Sequence, residues 1–218
     1  MTNSNHNRRY LVVEGPIGVG KTSLARRLAE HFGSELLLED PASNPFLERF
    51  YRNPRAAALP TQLFFLFQRA QQMQDLRQGD MFNPVRVADF LFDKDRLFAG
   101  LTLDEDELRL YDQVYEKLAI DAPPPDLVIY LQAPVEVLRQ RIARRGIVHE
   151  QLMDPGYLGR LAESYTRFFY DYTAAPLLIV NAAEIDLVGN DTDFELLLEH
   201  IGAVRSGRHY FNPVPMAM

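Results

Sequence analysis

Residues 15–22 read Gly15-Pro16-Ile17-Gly18-Val19-Gly20-Lys21-Thr22, and Ser23 follows. Glycines at this spacing let a loop turn successive backbone N–H groups toward one anion. The lysine adds a point charge for β- and γ-phosphates, and the threonine hydroxyl suits Mg²⁺. An apolar run precedes the motif and a helical pattern follows it, which is the setting in which this spacing cradles a nucleoside triphosphate. ATP and Mg²⁺ are therefore the expected ligands of residues 15–23. Asp89 closes the apolar run Val85–Ala88, and Glu39 follows Glu35–Leu38. Both should emerge at the carboxyl edge of a sheet, where ligands of open α/β sheets bind. Asp89 there either holds the metal or caps the segment from Phe90 onward. Glu39 either takes a proton from an attacking hydroxyl or is a solvated surface residue.

Arg139, Arg141, Arg144 and Arg145 cluster just before Gly146. Guanidinium groups closing over a triphosphate would neutralise charge that develops in phosphoryl transfer. The alternative is a solvated helix face. The cluster breaks at a glycine into a loop, which favours a lid over about residues 141–153. In it, Arg141 and Arg145 would act on the transferred group and Arg144 on the triphosphate.

The elements that must position these residues can be read from periodicity. Tyr10–Val13, Leu127–Leu131 and Leu177–Val180 are short continuous apolar runs, as expected of strands buried on both faces of a parallel sheet, with Glu35–Leu38 and Val85–Ala88 as weaker ones. Pro54–Gln78 carries Leu63, Phe67, Ala70 and Met73 on one helical stripe, and Asp104–Ile120 carries Leu108, Tyr111, Val114, Tyr115 and Leu118 on another. Alternating strands and helices predict an α/β three-layer P-loop NTPase fold, with a five-stranded parallel sheet flanked by helices. One domain over residues 10–205 is expected, with loosely held tails at Met1–Arg9 and Ser206–Met218.

Composition narrows the class further. The chain has 218 residues and 47% hydrophobic ones, enough for one real core. A net charge of −7 argues against binding a nucleic acid polymer, which requires concentrated lysine and arginine. Cysteine is absent and the five histidines lack ligand-like spacing, so thiolate chemistry and a structural zinc are not expected. No apolar run is long enough to span a bilayer and the polar N-terminus lacks a secretory signal, so a cytoplasmic protein without a membrane partner is expected.

With these parts in order, the chain from about Tyr10 to about Asp186 resembles the deoxynucleoside kinase family. Glu39-Asp40-Pro41 is similar to the family's Glu-Pro stretch, with Asp40 inserted, and the resemblance makes Glu39 the general base for a 5′-hydroxyl. Phe50-Tyr51-Arg52-Asn53-Pro54 resembles a Tyr-Lys-Asp-Pro stretch whose tyrosine bonds the sugar 3′-hydroxyl, a role that falls to Tyr51. Gln62 matches the glutamine that pairs with the base edge. Arg69, two helical turns on, matches an arginine paired with an aspartate, for which Asp93 is the candidate. Phe65 and Phe98 are either walls for the base or ordinary core. Arg144-Arg145-Gly146-Ile147-Val148-His149-Glu150 resembles the lid segment Arg-x-Arg-x-x-Glu, so Glu150 is expected to meet the 3′-hydroxyl. Two departures stand out. Ile147 replaces the lid's second arginine, and Ala88-Asp89-Phe90 replaces an Asp-Arg-Ser or Glu-Arg-Ser stretch, so no arginine sits beside Asp89.

The resemblance implies transfer of the γ-phosphate of ATP to a small-molecule deoxynucleoside, by a homodimer. A charged Arg69–aspartate pair suits purine bases or cytosine ahead of thymine. A nucleoside monophosphate kinase and a non-catalytic nucleotide-binding module are the alternatives. The first would need arginines dedicated to an acceptor phosphate, for which Arg49, Arg52 and Arg55 are candidates; the second would make the acid and acceptor groups superfluous.

Overall fold

The computed structural model describes residues 10–78, 85–118 and 123–212. Strands β1 (Tyr10–Glu14), β2 (Glu35–Leu37), β3 (Arg86–Ala88), β4 (Leu127–Gln132), β5 (Leu177–Asn181) and β6 (Arg208–Phe211) form one sheet in the order β2-β3-β1-β4-β5-β6. Every neighbouring pair is parallel. The sheet therefore has six strands rather than the five expected. The additional one lies inside the stretch read as a C-terminal tail, where Arg208 donates to the carbonyls of Phe169 (2.9 Å) and Tyr170 (2.6 Å) and Phe211 is buried. Three exposed residues, Arg208, His209 and Tyr210, precede the single buried Phe211, so a search for continuous apolar runs passes this edge strand by.

Helices α1 (Lys21–Phe32), α2 (Leu47–Arg52), α3 (Pro54–Gln78), α4 (Lys94–Thr102), α5 (Glu105–Leu118), α6 (Val135–Arg145), α7 (Pro155–Asp171) and α8 (Asp191–Ala203) accompany the sheet, with short 3₁₀ turns at Pro41–Ser43 and Val148–Leu152. Leu11, Val12, Val13, Leu127, Val128 and Ile129 are at most 1% exposed, which is why the central strands read as unbroken apolar runs. The register sets Val12 and Leu37 against Ala88, so the ends of β1, β2 and β3 deliver Gly15, Glu39 and Asp89 to one edge.

The inward face of α3 differs from the expected stripe. Leu66, Ala70, Met73 and Leu76 are buried, but Phe67 is 54% exposed, and Gln62 and Arg69 are buried in its place. Two polar residues facing inward shift the apolar stripe away from the real interior. On α5 the pattern holds better: Tyr111 is fully buried, with α5 packed on α3 and α4. Among the described residues, no helix is long and apolar enough to cross a membrane.

Candidate active site

Two cavities meet at the loop between β1 and α1. Gly18, Lys21, Thr22 and Arg145 line both of them. The loop's shape depends on its glycines, as Gly15 and Gly20 illustrate. A side chain on Gly15 would approach the Leu131 carbonyl oxygen to 2.3 Å, so β4 can lie against the loop only if residue 15 has none. Gly20 enters α1 at φ 108°, and no side chain caps the helix. The first N–H groups of α1 thus lack a side-chain acceptor, which together with the helix dipole favours an anion. Lys21 Nζ donates back to the carbonyls of Gly15 (2.7 Å) and Pro16 (3.3 Å). Burial, and then the nearby Lys94 ammonium, lower its pKa.

The first cavity runs from this loop between α6 and the segment after β5, along Val19, Gly20, Ser23, Arg141, Arg144 and residues 185–189. Arg141 donates to the carbonyls of Val19 (3.0 Å) and Ala182 (2.7 Å), so it staples the loop to the end of β5. Arg27 holds the far wall through the carbonyls of Leu187, Val188 and Asn190. Asp186 accepts from the amides of Val188 and Gly189.

The second cavity opens on the other side. Thr22 Oγ1 donates to Asp89 Oδ2, and the Glu39 amide donates to Asp89 Oδ1 at 2.8 Å. Burial raises the pKa of Asp89, partly offset by these two hydrogen bonds. Arg69 Nε donates to Glu39 Oε1 at 2.7 Å, while another of its nitrogens meets Asp95 Oδ1. Lys94 Nζ lies 3.1 Å from Glu39 Oε1 and 3.4 Å from Glu14 Oε2. Burial alone would raise the Glu39 pKa, but Arg69, Lys94 and Lys21 together pull it down to about 2. Asp95 goes the other way. Its complete burial outweighs Arg69 and lifts it to about 6.

Around these charges stand Tyr51, Gln62, Phe65, Phe98, Glu150 and Tyr157. Tyr51 is pushed above its ordinary pKa by burial and so keeps its proton as a donor. Arg69 stands 5.1 Å from the centroid of Phe65. From the lid, Arg145 grips Glu150 with Nε at 3.1 Å, and His149 stacks on Tyr51 with centroids 5.8 Å apart.

The sequence profile of the deoxynucleoside kinase family matches residues 11–204. The chain is 33% identical over 201 residues to a deoxyguanosine kinase of Bacillus subtilis, covering 88% of this chain and 95% of that protein. It is 30% identical to a deoxyadenosine kinase of Lactobacillus acidophilus, covering 84% and 89%. The chain belongs to the deoxynucleoside kinase family. The fold agrees: a structure of deoxyadenosine kinase from M. mycoides with bound dATP superposes with a TM-score of 0.76 at 22% identity, over 89% of this chain and all of that one.

In this kinase, a phosphotransferase, Lys21, Thr22, Glu39, Tyr51, Gln62, Phe65, Arg69, Asp89, Phe98, Arg145 and Glu150 all line the second cavity. Phe65 and Phe98 line the cavity and also pack against the core. Asp93 is a correction. It is exposed at the start of α4, and the partner of Arg69 is Asp95, two residues on. Each helical residue turns the side chain by about 100°, so Asp93 and Asp95 face opposite ways, and sequence proximity alone could not choose between them. Arg144 lines the first cavity, whereas Arg141 is committed to backbone carbonyls. Sequence reasoning gave no role to Glu14, to Tyr157 or to the wall at residues 185–189. Lys94 was in view but had no role, because nothing local marks a lysine after Phe90-Leu91-Phe92-Asp93 as facing a cavity.

Proposed function

We propose that the first cavity takes ATP and the second a deoxynucleoside, with the γ-phosphate passing to the 5′-hydroxyl across Lys21. One observation carries this reading: Gly18, Lys21, Thr22 and Arg145 line both cavities, and Glu39 stands on the acceptor side only. Glu39 receives the hydroxyl proton. Its low pKa makes it a weak base, which suits a loose transition state in which positioning matters more than basicity. Lys21 and the N–H groups at the start of α1 hold the β- and γ-phosphates, and lid residues Arg144 and Arg145 add charge from the other side. Tyr51 and Glu150 hold the 3′-hydroxyl, and Gln62 reads the base edge.

The donor set also suits Mg²⁺. Thr22 and Asp89 present hard oxygen atoms to each other at the phosphate end of the cavity, and would hold the ion together with triphosphate oxygens. Such an ion, when bound, neutralises charge on the β- and γ-phosphates.

For the base, the reading is a purine deoxynucleoside or deoxycytidine ahead of thymidine. Arg69 is fixed by Glu39 and Asp95, and Gln62 is almost fully buried beside it. A thymine methyl facing Gln62 would leave that buried amide desolvated and unpaired, at about 1–3 kcal/mol. An ATP-coupled assay over the four deoxynucleosides, their ribo forms and their monophosphates tests this. Turnover of deoxyguanosine, deoxyadenosine or deoxycytidine should exceed that of thymidine at least about tenfold. Comparable turnover of thymidine and deoxyguanosine sinks the base assignment, and turnover confined to monophosphates sinks the acceptor assignment. The reading includes a homodimer, for which the exposed Leu110 of α5 is available; light scattering decides it.

A further inference from the structure

Lys94 opens α4 and is only 2% exposed, yet it lines the acceptor cavity. Removing an ammonium from water costs several kcal/mol, recovered only with well-placed partners. The carboxylates beside it have other partners. Glu14 accepts hydrogen bonds from the amides of Gly15 (2.8 Å) and Leu91 (2.7 Å) and from the Tyr165 hydroxyl (3.0 Å). Glu39 is gripped by Arg69. Lys94 is also the ion-pair partner of the fully buried Glu14, and it shares Glu39 with Arg69. Lysine has three N–H donors. Its nitrogen lies 3.4 Å from a Glu14 oxygen and 3.1 Å from a Glu39 oxygen, so three donors serve two carboxylates and one more partner can be met from the cavity.

We propose that Lys94 is a catalytic cation on the acceptor side, meeting the phosphoryl group as it arrives, while Lys21 meets it as it leaves. This rests on the reading of Glu39 as the residue that holds the 5′-hydroxyl. A hydroxyl bonded to Glu39 sits next to Lys94, because the two side chains are themselves in contact. In the step, the 5′-oxygen forms a bond to the γ-phosphorus as the bond from that phosphorus to the β–γ bridging oxygen breaks. ADP departs with that electron pair, and the hydroxyl proton goes to Glu39. Charge on the three equatorial oxygens is then flanked by an ammonium at each end of the path, fixed before the reaction starts. Glu14 acts through Lys94 as a positioning residue, anchored by the turn into the phosphate loop.

A crystal structure of the unmodified kinase with ADP, Mg²⁺, deoxyguanosine and aluminium fluoride is the direct test. Lys94 Nζ is expected within hydrogen-bond reach of a fluoride. If the 5′-oxygen sits at Glu39 while Lys94 touches only Glu14 and Glu39, the inference is overturned and the assignment of the site survives. If the 5′-oxygen lies elsewhere, both fall. In solution, Lys94→Met should lower kcat by about 10²–10³-fold, with the KM for ATP within a few-fold of the parent. Added ethylammonium should restore part of the activity of Lys94→Ala. A folded Lys94→Met with kcat near the parent's overturns the proposal, and if neither variant folds, the transition-state complex decides.

Discussion

The two cavities that share Lys21 are built from different materials. The donor side is mostly backbone: loop amides, the start of α1, and a far wall held by carbonyl contacts from Arg27 and Arg141. The acceptor side is side chains, with Glu39, Arg69, Asp89, Lys94 and Asp95 locked into ion pairs and hydrogen bonds around one wall. A triphosphate is the same group on every nucleotide, so flexible charge and backbone amides suffice for it. A base and a sugar must be told from near relatives, which requires desolvated polar groups fixed in advance. The donor side should therefore tolerate loss of a surface charge, and the acceptor side should not tolerate loss of an interior one.

The largest expected effect lies at the junction. Lys21→Ala should lose about 10³-fold in kcat/KM with every acceptor, checked by steady-state assays over the deoxynucleoside panel. Loss confined to one acceptor would break the division between the sides. Next, Glu39→Gln should lower kcat by about 10²-fold or more while ATP affinity by calorimetry stays within a few-fold, since Glu39 lies outside the donor cavity. Third, Arg69→Ala strands the buried Asp95 and should cost about 3–5 kcal/mol in urea unfolding. Arg144→Ala, at an exposed position on the donor side, should change stability by no more than about 0.5 kcal/mol. Similar values for the two would erase the contrast.

The smallest effect is a pH dependence of stability, with two carboxylates pulling in opposite directions. Glu39, lowered from 4.5 to about 2, stabilises the fold above pH 4.5 and loses that contribution as pH falls toward 2. Asp95, raised from 3.8 to about 6, disfavours the fold when charged and is relieved as pH falls through 6 toward 3.8. Urea melts should thus show a gain attributable to Asp95 between pH 7 and about pH 5, absent in Asp95→Asn, before the loss below pH 4.5. An identical profile in that variant would remove Asp95 as the source.

The same contrast explains what could be read in advance. Residues 15–23 form a contiguous motif because one loop must supply every amide to one anion, so local spacing reveals the donor side. Its far wall at residues 185–189 is a turn closed by Asp186 on the amides of Val188 and Gly189, a local pattern that occurs in many loops and does not by itself mark a ligand wall. On the acceptor side, Glu39 and Asp89 were legible because each follows a strand ending at one edge. Gln62 and Arg69 were found by resemblance, and their burial also explains why the apolar stripe of α3 was misplaced onto Phe67. Asp93 is the aspartate that the resemblance suggested and Asp95 the one that faces inward, because the start of α4 sets the phase and nothing in the local sequence fixes that start to within a residue or two. Lys94 depends on the same phase.

The sixth strand has a practical meaning for anyone handling the protein. While Arg208–Phe211 lies on β5, the amides and carbonyls along one side of Leu177–Val180 are occupied. Cutting the chain before Arg208 would lay bare a row of unsatisfied donors and acceptors on an apolar ribbon, an invitation to intermolecular strand pairing. Affinity handles and domain fusions are therefore safer ahead of Tyr10 than in place of the last strand, and a shortened chain is expected to sediment as aggregates.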